Sequence, residues 1–141
     1  MYRVVVDPGV LIAALLSRSG APAKILLAWI EGMFELVASP KLLDELRIAL
    51  VRPKFRKHVT VEEVEAYLAL LERRASTVAD PEPHVGLTPD PGDDYLVTLA
   101  GAAAAHVLVS GDAHLTGLRS SRLPILTPRA LLSMLEKDEA C

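Results

Sequence analysis

Asp7, Glu45, Asp93, Asp94 and Asp112 lie far apart along the chain, yet each falls where an alternating strand–helix fold would aim it at one pocket. Asp7 ends the apolar run Tyr2-Arg3-Val4-Val5-Val6, and Asp112 follows a second one, Val107-Leu108-Val109-Ser110-Gly111. Glu45 sits on an amphipathic segment, and Asp93-Asp94 open an apolar one. Converging carboxylates repel one another unless positive charge sits among them. A hard divalent cation, Mg²⁺ or Mn²⁺, is the usual answer, because such ions prefer oxygen ligands. Metals held this way commonly act on phosphates.

Each acid also has a plainer reading. Asp7-Pro8-Gly9 is a good turn signal, so Asp7 reads equally well as a turn residue. At about 100° per residue, Leu42, Leu43, Leu46, Ala49 and Leu50 share one helix face, and Asp44 points away from it. Glu45 then lies at the flank of that face, where it could reach a pocket or simply meet water. Asp93 is expected to cap the next helix, leaving Asp94 as the ligand; alternatively one acid caps and the other complements the helix dipole. Asp112 follows Gly111, which permits a tight turn, so it can be an ordinary loop acid. His114, two residues on, fits a ligand, a phosphate contact or an exposed side chain. Asp90 lies in a proline-rich loop and ranks lower.

The elements that would position these acids can be read from apolar patterning and capping. Strands are expected over 2–6, 34–38, 75–78, 106–110 and 124–126. Helices are expected over 10–16, 21–31, 40–51, 61–74, 93–105 and 128–137. Ser39-Pro40 and Thr127-Pro128 each pair an N-cap with proline at the first helical position. Thr60 and Glu63 form a capping box. Loops are expected over 80–92 and 111–122, the first rich in proline. Alternating strands and helices predict an α/β fold, a three-layer sandwich around a mostly parallel sheet, in one domain over 1–141. In such sheets ligands bind beyond the carboxyl ends of the strands, where Asp7 and Asp112 fall.

Composition narrows the class. The 141 residues are 51% hydrophobic but only 4% aromatic, so the core must be aliphatic, as suits a buried parallel sheet. No uninterrupted apolar run approaches the ~20 residues of a membrane span. No signal peptide is evident at the N-terminus. The one cysteine, Cys141, excludes an intramolecular disulfide and a cysteine metal site, and a cytoplasmic protein is the simplest expectation. A net charge of −3 argues against general polyanion binding. Any nucleic-acid contact needs a local patch, best sought in Arg52-Pro53-Lys54-Phe55-Arg56-Lys57-His58, which also reads as a solvated helix end. No Gly-x-Ser-x-Gly elbow, phosphate-binding glycine loop or dinucleotide fingerprint is present.

In order and spacing, several segments resemble the PIN-domain family, in particular its VapC-like toxins. They are Val5-Val6-Asp7-Pro8-Gly9-Val10-Leu11-Ile12, Phe34-Glu35-Leu36-Val37-Ala38-Ser39-Pro40, Leu43-Asp44-Glu45-Leu46, Arg52-Pro53-Lys54-Phe55, Asp90-Pro91-Gly92-Asp93-Asp94-Tyr95-Leu96, Leu108-Val109-Ser110-Gly111-Asp112 and Pro124-Ile125-Leu126-Thr127-Pro128. The resemblance implies a Mg²⁺- or Mn²⁺-dependent ribonuclease, with Asp7, Glu45, Asp94 and Asp112 as the catalytic quartet and Asp93 beside them as a further metal ligand. It also implies an RNA substrate, a cognate antitoxin, often a homodimer, and products with a 5′-phosphate and a 3′-hydroxyl. Two departures stand out. Pro8-Gly9 replaces the polar residues that usually follow the first acid, which predicts weaker support for Asp7. His114 replaces an acid often found near Asp112. A catalytically weakened PIN-fold module that binds RNA or protein is therefore the alternative. A receiver or haloacid-dehalogenase-like protein fits less well, since a single Asp7 ends the first strand and Gly9 stands where a second acid is wanted.

Overall fold

The computed structural model describes residues 1–83, 91–112, 116 and 123–140, so Asp90, His114, Cys141 and most of the expected 111–122 loop lie outside the described residues. The elements run β1 Arg3–Val6, α1 Pro8–Leu16, α2 Ala21–Ile30, β2 Glu35–Ala38 and α3 Pro40–Leu50. A 3₁₀ turn, Pro53–Phe55, leads to α4 Val61–Arg74 and β3 Ser76–Thr77. Then come α5 Pro91–Ala102, β4 Val107–Val109, β5 Ile125–Leu126 and α6 Pro128–Ala140.

The sheet is parallel at every described pairing, in the order β3-β2-β1-β4-β5, and helices cover both its faces in a three-layer α/β/α sandwich. Val4, Val5 and Val6 are all buried, as are Val107, Leu108 and Val109, because a central parallel strand is covered on both faces and has no reason to alternate. Val5 pairs with Val37 on one side and Leu108 on the other. After β3 the chain crosses back over β1 to lay down β4, so strand order reverses between β1 and β4. That reversal opens a crevice at the carboxyl ends of these two strands, the usual ligand position in an open α/β sheet.

Local signals explain most boundaries. The Ser39 hydroxyl accepts from the Leu42 amide at 3.2 Å, with Pro40 opening α3. Thr60 and Glu63 cap α4 reciprocally, at 3.0 and 3.2 Å. α1 begins at Pro8 rather than at residue 10, because the Asp7 carboxylate accepts from the Gly9 amide at 2.9 Å and caps the helix. α5 begins at Pro91, so Asp93 and Asp94 both lie inside its first turn and Asp93 is not its cap. α5 ends at Ala102, short of residue 105. Ala104 takes a left-handed φ of 53°, and the Ala105 amide reaches back to the Ala100 carbonyl at 2.9 Å in a Schellman-type closure. α6 runs on to Ala140, past residue 137.

α1 and α2 are the most apolar helices, and they pack on each other at a 96° bend. Their composition serves the core, where Val10, Leu11, Ile25 and Trp29 are buried. No single helix among the described residues is long and apolar enough to cross a membrane. Leu131 and Leu135 are buried as α6 docks beside α2.

Candidate functional site

Asp7 and Asp112 meet at the strand-order reversal through a third residue, Ser110. Backbone pairing carries Asp7 there directly: its amide donates to the Val109 carbonyl at 2.9 Å, continuing the β1–β4 ladder by one residue. The residue that follows β4, Ser110, is fully buried. Its hydroxyl donates to Asp7 Oδ2 at 2.9 Å and accepts from the Asp112 amide at 3.0 Å. Asp7 Oδ1 is taken by the Gly9 amide. The carboxylate is therefore oriented at both oxygens. Replacing polar residues by Pro8-Gly9 does not strip Asp7 of support, because a backbone amide and a distant hydroxyl supply it.

Asp94 reaches the same edge on α5. The direction of this helix is fixed at both ends. Arg3, at the start of β1, donates from Nε to the Ala103 carbonyl at 3.1 Å, so α5 finishes at the amino edge of the sheet. Tyr95, just after its first turn, hydrogen-bonds through its hydroxyl to Ser39, which follows the carboxyl end of β2. The first turn of α5 is thus at the carboxyl edge with Asp7 and Asp112. Asp94 is 3% exposed, a degree of burial that carboxylates rarely tolerate without partners. Its backbone carbonyl also accepts from the Thr98 hydroxyl at 2.7 Å. Asp93 beside it is only half-buried.

Glu45 is exposed on α3, as is Asp44. Its link to the site is electrostatic, since its charge helps hold the Tyr95 hydroxyl protonated. Burial is the first cause of the raised Tyr95 pKa, followed by the hydrogen bond to Asp80. Asp80 accepts from Tyr95 and, at 3.1 Å, from the Lys41 amide. Burial opposes its ionisation, but the Tyr95 and Ser39 hydroxyls, the Lys41 amide and the Lys41 charge together hold its carboxyl below the usual range. The Lys41 ammonium lies 4.3 Å from the centre of the Tyr95 ring. Ser39, Tyr95, Asp80 and Lys41 therefore pin the first turn of α5 to the junction of β2 and α3.

Sequence reasoning passed over Ser110, Asp80 and Tyr95. Ser110 carried one usable signal: a polar residue closing a fully apolar strand is buried and must find partners. Asp80 and Tyr95 carried none, because their pairing joins a loop to a helix across the fold.

The all-carboxylate donor set suits a hard cation. Among the described residues, however, no three Asp, Glu, His or Cys side chains gather closely enough to form a ligand cage. Mg²⁺ is commonly held by one or two carboxylates, the rest of its shell being water and substrate phosphate. Asp7, oriented at both oxygens, and Asp112, whose backbone amide is held by Ser110, stand after adjacent strands and suit that mode.

The family model described as PIN domain matches residues 3–114. The chain is 26% identical over 144 residues to the uncharacterized protein MJ1680 of Methanocaldococcus jannaschii, covering 96% of this chain and 92% of that one. Its fold is similar to the crystal structure of PAE2754 from Pyrobaculum aerophilum, with a TM-score of 0.66, 19% identity, and coverage of 96% of this chain and 90% of that one. It is also similar to VapBC2 from Rickettsia felis bound to a promoter DNA fragment, with a TM-score of 0.62, 14% identity, and coverage of 89% and 98%.

Proposed function

Because this chain belongs to the PIN domain family, we propose that it is a metal-dependent endoribonuclease and the toxin of a toxin–antitoxin pair. One observation carries the reading: Ser110 ties Asp7 to Asp112 at the strand-order reversal, on the edge where α5 presents buried Asp94. Asp7 and Asp112 would hold Mg²⁺ or Mn²⁺, with water and substrate phosphate completing the shell and with Asp94, Glu45 and Asp93 as the acids around them. Such an ion lowers the pKa of a bound water and offsets charge developing on the scissile phosphate. The chain's own part is preorganisation. Gly9 and Ser110 fix both oxygens of Asp7, and the Tyr95–Ser39 bond sets where Asp94 stands relative to α3. Products would carry a 5′-phosphate and a 3′-hydroxyl.

The test is cleavage of end-labelled RNA by the purified full chain, with Mg²⁺ or Mn²⁺ and with EDTA. Cleavage that needs metal and disappears in Asp7→Asn and Asp94→Asn supports the reading; undiminished cleavage in both variants overturns it. Calorimetric Mn²⁺ binding, present in wild type and lost in Asp7→Asn, tests the site without a choice of RNA.

The likeness to a VapBC2 structure supports an antitoxin partner, which would co-purify and suppress cleavage. A homodimer is part of the same reading and is tested by light scattering; a cytoplasmic location is tested by cell fractionation. A second reading has its own support, since Glu45, one of the four acids expected to be catalytic, is exposed on α3. On that reading the protein is a weakened PIN-fold module that binds RNA or protein. RNA binding without metal-dependent turnover would favour it.

A further inference from the structure

The basic run after α3 takes no part in the site above, and its environment is unusual for this chain. Arg52, Lys54, Arg56 and Lys57 are all exposed, and none forms an ion pair among the described residues. The contrast with Arg3 and Arg47 is plain: Arg3 is bound to Glu35 and the Ala103 carbonyl, and Arg47 to Glu65 and Glu72. Residues 46–61 contain no Asp or Glu, in a chain whose net charge is −3. The cations therefore form a local reversal of sign.

They are also held on a defined frame. The Phe55 amide donates to the Arg52 carbonyl at 3.1 Å, and the Arg56 amide to Pro53 at 3.1 Å. The His58 and Val59 amides both reach the Phe55 carbonyl at 3.0 Å. Phe55 and Val59 anchor this turn in the core, and Lys54 sits 5.0 Å from the centre of the Phe55 ring. A fixed backbone beneath several cations spares part of the ordering cost of binding an anion.

The turn is also continuous with Glu45. Arg52 is seven positions after Glu45, which on a helix is nearly two turns, about 10 Å along the axis and close to the same azimuth. Val51 keeps helical backbone angles, so Arg52 stands close to that position. Exposed Ile48 lies between the two. One outward strip of α3 thus runs from an acid of the candidate site to a fork-shaped guanidinium suited to phosphate oxygens.

We propose that the 52–58 turn is a phosphate-contacting surface that receives single-stranded RNA laid along the outer face of α3 from Glu45. Arg52, Lys54, Arg56 and Lys57 meet the backbone and supply sequence-independent affinity. This rests on RNA being the substrate class, as proposed above, but not on cleavage. An acidic protein segment is the competing occupant. RNA is favoured because the charged side chains of residues 52–57 are all cationic and the strip ends at Glu45, whose charge is felt at Tyr95 on α5.

The experiment is fluorescence anisotropy of a fluorescein-labelled single-stranded RNA of mixed sequence, in EDTA, across a series of salt concentrations. EDTA removes metal-dependent cleavage, so failure of the nuclease reading leaves the result interpretable. The full chain is compared with Arg52→Gln/Lys54→Gln/Arg56→Gln/Lys57→Gln. A control of equal charge change, Arg18→Gln/Lys24→Gln/Arg73→Gln/Arg129→Gln, alters exposed cations elsewhere. The patch variant should bind about tenfold or more weakly, with a log–log salt slope shallower by about 0.7 for each phosphate it no longer neutralises. The control should weaken far less. If the patch variant melts early, Lys54→Gln/Lys57→Gln against Lys24→Gln/Lys137→Gln answers the same question. Equal weakening in both members of a comparison, unchanged binding by the patch variant, or no RNA binding by wild type overturns the proposal. Binding of an acidic peptide in place of RNA overturns it too.

Discussion

The Ser110 hydroxyl donates to Asp7 Oδ2 at 2.9 Å, joining residues 103 positions apart in the chain. Ser110 Oγ in turn accepts from the Asp112 amide. One buried side chain thus sets the relation between the acids at the ends of two adjacent strands.

Ser110→Ala should disturb both at once. It removes the donor to Asp7 and leaves the Asp112 amide without its acceptor. The loss of stability should be about 1–3 kcal/mol. RNA cleavage should fall about 10–100-fold, the usual scale for losing a group that orients a metal-binding carboxylate. Chemical denaturation and a cleavage time course check the two effects separately. Wild-type cleavage by the variant would mean that the bridge is structural only.

Two substitutions at Asp7 should separate cap from chemistry. Asp7→Asn keeps an oxygen to accept the Gly9 amide, whereas Asp7→Ala loses the cap of α1. Asp7→Ala should be less stable than Asp7→Asn by about 1 kcal/mol. Both should lack cleavage. Thermal melts with parallel assays decide this, and equal stabilities would show that the cap contributes little.

Acid should weaken the Tyr95 clamp. The folded Asp80 pKa lies below its ordinary value of 3.8. Its contribution is therefore complete above that value and is lost as pH falls through the lower folded value. Tyr95→Phe removes the hydroxyl shared with Ser39 and Asp80 but keeps the ring beneath Lys41. Urea unfolding between neutral pH and pH near 3 should show a shallower acid loss in Tyr95→Phe and in Asp80→Asn. Glu35, held low first by the Ser76 hydroxyl and then by Arg3, contributes a parallel loss that Glu35→Gln removes. An unaltered pH profile in Tyr95→Phe would argue against the clamp.

α6 should prove integral to the fold although the family match ends at residue 114. Leu131 is fully buried, so Leu131→Ala leaves a cavity and should cost about 2–5 kcal/mol. Denaturant unfolding measures it. A loss below about 1 kcal/mol would mean that α6 docks loosely.

Much of this architecture was legible in the sequence, because it depends on interactions between near neighbours. Val4-Val5-Val6 and Val107-Leu108-Val109 read as doubly covered strands, since a strand with only one buried face would alternate with polar residues. Ser39-Pro40 and the Thr60–Glu63 box marked helix starts, because a cap is made within three residues of itself. The acids at the ends of β1 and β4 could be anticipated from the same pattern. The start of α5 could not, as prolines around Asp93 and Asp94 read equally well as loop or first turn.

What tertiary structure alone decided is which groups meet. Strand order put β4 beside β1 and so brought Ser110 to Asp7. Packing of α5 across the sheet buried Asp94 while Glu45 stayed in water, although both are carboxylates carried on helices. It also joined Tyr95 to Ser39 and Asp80, a partnership that no spacing announces. Local propensity depends on residues within a turn or two, whereas burial and long-range hydrogen bonds depend on how whole elements pack. The sequence therefore determined the strands, the helices and the types of acid available; the packing of β4 and α5 against β1 and β2 decided which of those acids are oriented, desolvated and brought to one edge.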